Sequence, residues 1–291
     1  MFRKSLPDDF DEELYLAMHP DVRRSGMNAK RHFLKYGLKE GRSYKLTLRP
    51  RYRNEFLARL IEFPSILEIG PFDRPVAREF ALPGADLEFV DCLSTDELKS
   101  RAREIPGRSP DGVPHISYVA SGKLAGVITR QFDCVVSCHM IEHTPDFIGH
   151  MLDVKSLLKP GGAYLFLCPD KRKCFDHFLP ETRLPDAVVA YLEQRTRPTL
   201  RSVVEHRAFA RYDYETTDDP LRKPNMGCWE AILNAKQEYE SSEYVDVHCW
   251  QFTPESLLEL IEAIISLGLL DRPSRCESFQ LGDEIGAFIQ W

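Results

Sequence analysis

The stretch that decides the fold is Phe132–Asp146, which reads FDCVVSCHMIEHTPD. Its first half, Phe132–Cys138, is a short apolar run of the kind that forms a strand buried on both faces of a parallel sheet. Its second half carries chemically active side chains where that strand should end. Because ligands in open α/β sheets bind beyond the carboxyl ends of the strands, this stretch predicts a strand that leads into a functional site.

Similar apolar runs lie on both sides of this stretch and alternate with amphipathic segments. They predict strands at Ser65–Ile69, Asp86–Val90, His115–Val119 and Ala163–Cys168, with residues 272–291 as a closing strand pair. A helix is predicted from Asp146 to Leu158, stopped by the sequence KPGG at residues 159–162. This alternation predicts a Rossmann-like, doubly wound α/β fold with a mostly parallel, seven-stranded sheet.

The rest of the chain divides into an N-terminal module and a segment inserted after the fifth strand. We expect residues 1–53 to be a helical module with a basic linker, and residues 54–291 to be the main domain, in which residues 171–242 form a helical cap. In the N-terminal module, one helix is predicted from a cap at Asp8 or Asp9 through Met18, with Pro20 ending it, and a second from Asn28 to near Gly37. In the main domain, a last helix is predicted from the N-cap Thr253 to Gly268. The other predicted helices are Asn54–Phe63, Pro185–Arg195, Thr199–Ala210 and Trp229–Glu240.

Composition narrows the class of protein. The 291 residues carry a net charge of −7, which argues against nucleic acid as a partner. Residues 1–60 are locally basic, with 14 Lys and Arg against 8 Asp and Glu; this excess is either a solvated face or a contact for an anionic partner.

Eight cysteines without a Cys-x-x-Cys pair fit a reducing compartment. Since neither the first ten residues nor Leu257–Leu270 is continuously apolar, we expect a cytoplasmic protein without a transmembrane segment.

Two further strand ends carry residues suited to binding a ligand. After the first strand, Gly70 would let the backbone pass close to a ligand. Glu68, just before it, either accepts a hydrogen bond from a cationic group or orders the loop. After the second strand, Asp91 either holds the two hydroxyls of a ribose or caps the next helix.

These pieces together resemble the class I S-adenosylmethionine-dependent methyltransferase superfamily. The matching elements are the first-strand Glu-x-Gly, the second-strand acid, the segment Phe132–Asp146 and the sequence LKPGG before the fifth strand, in order over roughly residues 66–171. The resemblance implies S-adenosylmethionine as cofactor. The implied cofactor contacts are Glu68, Gly70, Pro71, Asp91, Ser137 and His139. The chain departs from the family pattern in keeping only the first glycine of the glycine-rich loop, which puts the contacts to the methionine end of the cofactor in doubt.

Three histidines are candidates for activating a hydroxyl that accepts the methyl group. An alcohol attacks only when a base takes its proton or a metal acidifies it. His139, Glu142 and His143 are spaced to share one face of a helical turn. They resemble the Glu-x-x-Glu-His metal site of ubiquinone-pathway and small-RNA methyltransferases, with His139 in place of the first Glu. The candidate catalytic residues are therefore His139, His143 and His248, and the candidate ligands of a divalent metal are His139, Glu142, His143 and His248.

Each of these residues has an alternative role. His139 can act as a base or a substrate contact without a metal, and all three side chains at 139–143 can serve only to hold neighbouring loops. His248 lies in a His-x-x-x-Phe-Thr sequence that resembles a loop closing over the superfamily's active site. Alternatively, its ring packs on Trp250.

The segment from Asp8 to Tyr44 resembles a short helical unit found beside bacterial glycosyltransferases of cell-surface polysaccharide assembly. That resemblance implies a sugar hydroxyl as acceptor and polysaccharide-assembly enzymes as partners. Three alternatives stay open: an O-methyltransferase for another small molecule, a non-catalytic methyltransferase-like subunit that binds partners, and a nicotinamide-dependent oxidoreductase. The missing Gly-x-Gly-x-x-Gly argues against the last.

Overall fold

The computed structural model describes residues 6–46, 48–211 and 228–291. Their centre is a seven-stranded sheet in the order β3-β2-β1-β4-β5-β7-β6. Strands β1 to β5 pair in parallel and β7 is antiparallel to both of its neighbours. The strands are β1 (Ser65–Ile69), β2 (Asp86–Asp91), β3 (Tyr118–Val119), β4 (Phe132–Cys138), β5 (Leu158–Pro169), β6 (Arg275–Leu281) and β7 (Glu284–Gln290). The prediction of a doubly wound α/β sheet is confirmed.

Helices cover both faces of the sheet and form the N-terminal module and the inserted segment. The α-helices are α1 (Glu12–Met18), α2 (Pro20–Arg24), α3 (Ala29–His32), α4 (Leu38–Glu40), α5 (Arg53–Leu57), α6 (Val76–Phe80), α7 (Thr95–Glu104), α8 (Phe147–Ser156), α9 (Leu184–Leu192), α10 (Leu200–Val204), α11 (Cys228–Ser241) and α12 (Pro254–Ser266). No helix among the described residues is long and apolar enough to cross a membrane.

The predicted strands at Ser65–Ile69 and Phe132–Cys138 are confirmed residue for residue. Two other strand predictions were wrong at their starts. Strand β3 is only Tyr118–Val119, because the N–H of Ile116 donates to the hydroxyl of Thr95 at 2.8 Å and not to the neighbouring strand. Strand β5 begins at Leu158, five residues before the predicted start at Ala163, because the KPGG residues that follow the helix are already part of the strand. They form an irregular start of the strand, where the register against β4 shifts.

The helices of the N-terminal module also differ from prediction at two points. Asp11, rather than Asp8 or Asp9, caps α1 through the N–H of Leu14, and Pro20 starts α2 instead of only ending α1. Proline fits the first position of a helix because that N–H has no intrahelical partner. Gly37 does not end the second predicted helix: a π-helical turn continues into α4, which ends at the left-handed Gly41.

Two apolar cores cover the opposite faces of the sheet, and the N-terminal module has a smaller core of its own around Tyr15 and Phe33. The module contacts the main domain at α6, where Arg23 donates to the carbonyl of Glu79 and Arg24 pairs with the Glu79 carboxylate. The division at residues 53 and 54 stays a prediction. Our expectations for residues 1–5, for residue 47 of the linker and for residues 212–227 of the cap lie outside the described residues.

Candidate functional site

The carboxyl ends of β1 and β4 meet at one edge of the sheet and carry three residues with positive φ. These are Gly70 (67°), Phe72 (43°) and His139 (51°). A side chain on Gly70 would place its Cβ 3.4 Å from Cγ of Met140, so the two loops approach closely here. Left-handed backbone at non-glycine residues costs free energy and is concentrated at functional sites. This edge therefore has the backbone signature of a ligand site.

Glu68 orders the loop after β1. Its two carboxylate oxygens accept the backbone N–H groups of Val76 and Ala77 at 2.9 and 2.8 Å, at the start of α6, and its side chain is buried. Burial raises the pKa of Glu68 to about 7, against the lowering effect of those two hydrogen bonds. Of the two roles that the sequence left open for Glu68, the structure shows the ordering of the loop, since both oxygens accept hydrogen bonds from the protein itself. Gly70 and Pro71 lie in the loop that Glu68 orders.

Asp91 ends β2 with a half-buried side chain. Burial raises the pKa of its carboxyl group. The alternative role as a helix cap is wrong, because Ser94 caps α7 in a capping box with Glu97. Hence Asp91 stands at a strand end, one strand away from Gly70, without being needed to start the next helix.

Ser137 is a core residue rather than a ligand contact. Its side chain is fully buried in β4, and its hydroxyl lies 2.8 Å from the hydroxyl of Tyr164. The Tyr164 hydroxyl in turn lies 3.1 Å from Nε2 of His150. A contact from the Ser137 side chain to a cofactor, which the sequence predicted, is not available in this arrangement.

Three of the four predicted metal-binding residues converge. Glu142, His143 and His248 each offer a ligand atom, and these atoms lie within 4.8 Å of one another. Glu142 and His143 belong to a single 3₁₀ turn after β4, and His248 comes from the loop before α12. The loop is fastened to that turn, since the N–H of Cys249 donates to the carbonyl of Glu142 at 2.6 Å. We call Glu142, His143 and His248 the convergent cluster.

Two aspartates orient the histidines of this cluster. Nδ1 of His143 lies 2.8 Å from Asp246, and Nδ1 of His248 lies 2.7 Å from the buried Asp176. A carboxylate at Nδ1 holds the proton on that nitrogen, which leaves Nε2 with its lone pair available. The sequence analysis did not single out Asp176 or Asp246.

Glu142 supplies the negative charge of the convergent cluster. Its side chain is almost fully buried, and neither carboxylate oxygen has a hydrogen-bond partner among the described residues. Burying a carboxylate that accepts no hydrogen bond costs free energy, because nothing offsets the loss of its contacts with water. The nearest cationic groups are ring nitrogens of His139 at 3.5 Å and of His143 at 3.9 Å, and neither makes a hydrogen bond to Glu142, so both carboxylate oxygens remain available to a metal ion.

His139 lies beside the convergent cluster but outside it. Its Nε2 is 2.5 Å from Glu284 at the start of β7, and Glu284 also pairs with Arg53. Its Nδ1 is 3.5 Å from Glu142. Burial opposes a charge on His139, but Glu142 and Glu284 outweigh it and raise the pKa to about 9. The predicted shared helical face was wrong because the positive φ of His139 precedes the 3₁₀ turn.

Aromatic rings from the inserted segment pack against His248 on one side of the convergent cluster. The ring centre of His248 lies 4.7 Å from that of Phe175 and 5.7 Å from that of His206. His206 sits on a π-helical turn, Glu205–Phe209, and burial lowers its pKa to about 4. The predicted packing of His248 on Trp250 is not seen, since Trp250 faces Phe147.

Comparison with known proteins gives distant similarities. The highly reducing polyketide synthase ACRTS2 of Alternaria alternata is 27% identical over 166 residues, which cover 53% of this chain and 6% of that protein. The chain thus spans only a small part of the curated relative that it matches.

Solved structures are similar at the same low level. The CcbJ methyltransferase from Streptomyces caelestis is 23% identical, over 40% of this chain and 51% of that chain, with a TM-score of 0.29. DhpI in complex with S-adenosylhomocysteine (SAH) is 13% identical, over 96% and 94% of the two chains, with a TM-score of 0.40. Human N-acetylserotonin methyltransferase with S-adenosylmethionine (SAM) is 12% identical, over 98% and 60%, with a TM-score of 0.39. Likeness at this level carries no conclusion about activity.

The family comparison is more decisive. The model of the family described as "Methyltransferase domain" matches residues 38–263, which is well over half of the chain and includes β1 to β5 and the convergent cluster. The chain belongs to this methyltransferase domain family.

Proposed function

We propose that the protein is a SAM-dependent O-methyltransferase that acts on the hydroxyl group of a small molecule. The observation that carries this proposal is the convergent cluster, which lies at the carboxyl edge of the sheet in a methyltransferase-family domain. A hydroxyl acceptor needs such a group of residues, because its oxygen must lose its proton as it attacks.

The cofactor would lie across the ends of β1 and β2. Gly70 and Pro71 offer a loop with room for close approach, and the carboxylate of Asp91 is suited to the two hydroxyls of a ribose. SAM supplies the methyl group on its sulfonium sulfur. The close contact between Gly70 and Met140 joins the cofactor loop to the turn that carries the convergent cluster.

The convergent cluster fits a divalent metal ion. Glu142 contributes a buried carboxylate that accepts no hydrogen bond from the described residues, and His143 and His248 contribute Nε2 atoms whose rings are fixed by Asp246 and Asp176. Two histidines and a glutamate are a ligand set that zinc prefers, and carboxylates behind the histidines are typical of its surroundings. A bound divalent ion would acidify a hydroxyl that reached it. His139 is not part of this set, because Glu284 holds it elsewhere.

A sugar hydroxyl as acceptor, polysaccharide-assembly enzymes as partners and a cytoplasmic location have weaker support. They rest on the resemblance of residues 8–44 and on composition, to which the described structure adds nothing. A sugar acceptor, these partners and this location therefore remain the alternative form of the proposal.

The test is turnover in a mixture of SAM and a panel of hydroxyl, amine and thiol acceptors, with SAH formation followed by mass spectrometry. We expect SAH only with hydroxyl acceptors, and a loss of about a hundredfold or more in the isosteric variant Glu142→Gln. Transfer to amines alone, or full activity in Glu142→Gln, would contradict the proposal. No transfer together with no binding of SAM would make a partner-binding subunit the better account.

A further inference from the structure

A second concave feature lies within the inserted segment, next to the convergent cluster. It is a cavity of about 450 Å³ that neither the family match nor the sequence motifs assign. Its lining is mostly apolar, with Phe178, Leu179, Pro180, Val204 and Phe209 as walls. Its size falls within the range of small-molecule sites, which are typically lined by hydrophobic and aromatic side chains.

The cavity shares its walls with the residues that hold His248. The N–H of Leu179 donates to the carbonyl of Asp176 at 2.8 Å, and Asp176 is the aspartate bonded to His248. The N–H of Arg211, also in the lining, donates to the carbonyl of Phe175 at 2.8 Å, and the ring of Phe175 packs on His248. Both hydrogen bonds therefore place residues of the cavity wall next to residues that contact His248.

Five of the eight described residues that line the cavity are apolar, and the other three, Arg201, Glu205 and Arg211, are charged. Arg201 pairs with Glu205 at 2.8 Å, within the lining itself. A sugar presents hydroxyls on every side and needs several hydrogen-bonding partners, which phenyl, leucyl, prolyl and valyl groups do not offer. An apolar ring loses little on leaving water for such a wall and gains from burial.

We propose that this cavity receives the apolar body of the acceptor, and that the acceptor is a ring-bearing phenol or alcohol rather than a free sugar. The proposal rests on the proposed function and deepens it by naming the substrate class. The ring occupies the space between Phe178 and Phe209, and the hydroxyl extends past Phe175 to the convergent cluster. The inserted segment is then the part of the chain that selects the acceptor.

The test uses 2-naphthol as an apolar hydroxyl probe and methyl α-glucoside as a polar one, each titrated calorimetrically into protein saturated with SAH. Two variants fill the cavity: Val204→Trp, and Pro180→Trp at an exposed position whose replacement does not endanger folding. The matched control is Val189→Trp, on the exposed side of α9 outside the cavity. SAH affinity is measured separately in every variant.

We expect 2-naphthol to bind the parent protein and Val189→Trp equally, and to bind Pro180→Trp and Val204→Trp at least about tenfold more weakly. Methyl α-glucoside should not bind. Absence of 2-naphthol binding, 2-naphthol affinity that both cavity variants leave unchanged, or preferential binding of the glucoside would each overturn the inference. If the parent protein did not bind SAH, the proposed function itself would be refuted. The SAH titration therefore distinguishes failure of the proposed function from failure of the acceptor proposal.

Discussion

At the scale of single residues, the site depends on one buried carboxylate and on two histidines with fixed rings. Glu142 accepts no hydrogen bond from the part of the chain that the structure describes, while His143 and His248 each have an aspartate behind Nδ1. A cation is the simplest partner that satisfies all three groups at once, because it accepts lone pairs from both nitrogens and from the carboxylate.

This arrangement predicts which residues bind metal. Titration of chelator-treated protein with Zn²⁺ should show one tight site, lost in Glu142→Gln and in His143→Ala. His139→Ala should keep it, since His139 is engaged with Glu284. Competition with a chromophoric chelator measures the affinity. Equal losses in His139→Ala and His143→Ala would favour the four-residue set predicted from the sequence.

A partly buried histidine away from the convergent cluster, His150, sets part of the pH dependence of stability. Burial lowers the pKa of His150 to about 4, whereas an unfolded histidine has a pKa of 6.5. The unfolded chain therefore takes up a proton between pH 6.5 and pH 4 that the folded chain does not, so the free energy of unfolding falls as the pH falls through this window. The loss should be about 2 kcal/mol between pH 7 and pH 5.

Urea unfolding at these two pH values measures the effect. In His150→Gln, which keeps a polar group near the Tyr164 hydroxyl, the stability difference between pH 7 and pH 5 should shrink by that amount. An unchanged difference would show that His150 is charged in the folded protein or that other groups dominate.

The sequence identified the reactive residues better than their partners. Glu142, His143 and His248 were found because they follow a strand or a recognisable loop motif. Asp176, Asp246 and Glu284 were missed because they lie 72, 103 and 145 residues along the chain from the histidines that they contact. No local pattern reports contacts of that kind, and the positive φ of His139, just before the 3₁₀ turn, cannot be read from residue spacing.

At the scale of elements, apolar runs and caps predicted most of the sheet and the longer helices. Predictions failed where proline or glycine had more than one possible role: Pro20 starts a helix, Gly37 lies inside one, and the KPGG sequence begins a strand. Pro20 and the KPGG sequence do end the preceding helix, as their backbone preferences indicate, and tertiary packing decides which element follows. Gly37 keeps helical φ and ψ, so the break predicted there was wrong.

The cap of α12 is the clearest element-level test. Thr253 and Ser256 form a reciprocal capping pair at the start of the helix that follows the His248 loop. Thr253→Ala should lower the free energy of unfolding by about 1 kcal/mol, because the N–H of Ser256 loses its acceptor. Ser100→Ala on the exposed side of α7 is the control and should change stability by less than about 0.5 kcal/mol. Equal effects in urea unfolding would contradict the assigned cap.

At the scale of the whole molecule, the sheet order brings together groups that are far apart in sequence. Strands β1, β2 and β4 point their carboxyl ends to one edge, the loop before α12 returns to that edge, and the inserted segment packs rings against it. The fold could be predicted because strand alternation is encoded locally. The cavity in the inserted segment could not, since it arises from the relative placement of two helical turns and a loop.

The most direct test of the central claim is calorimetric titration of the protein with SAH, compared with the variants Asp91→Ala and Asp96→Ala. Asp91 ends β2 at the proposed ribose position, whereas Asp96 is an exposed residue in the first turn of α7. We predict one site per chain in the parent protein, several-fold weaker binding in Asp91→Ala and unchanged binding in Asp96→Ala. Failure of the parent protein to bind SAH at millimolar concentration would contradict the claim that it is a SAM-dependent methyltransferase.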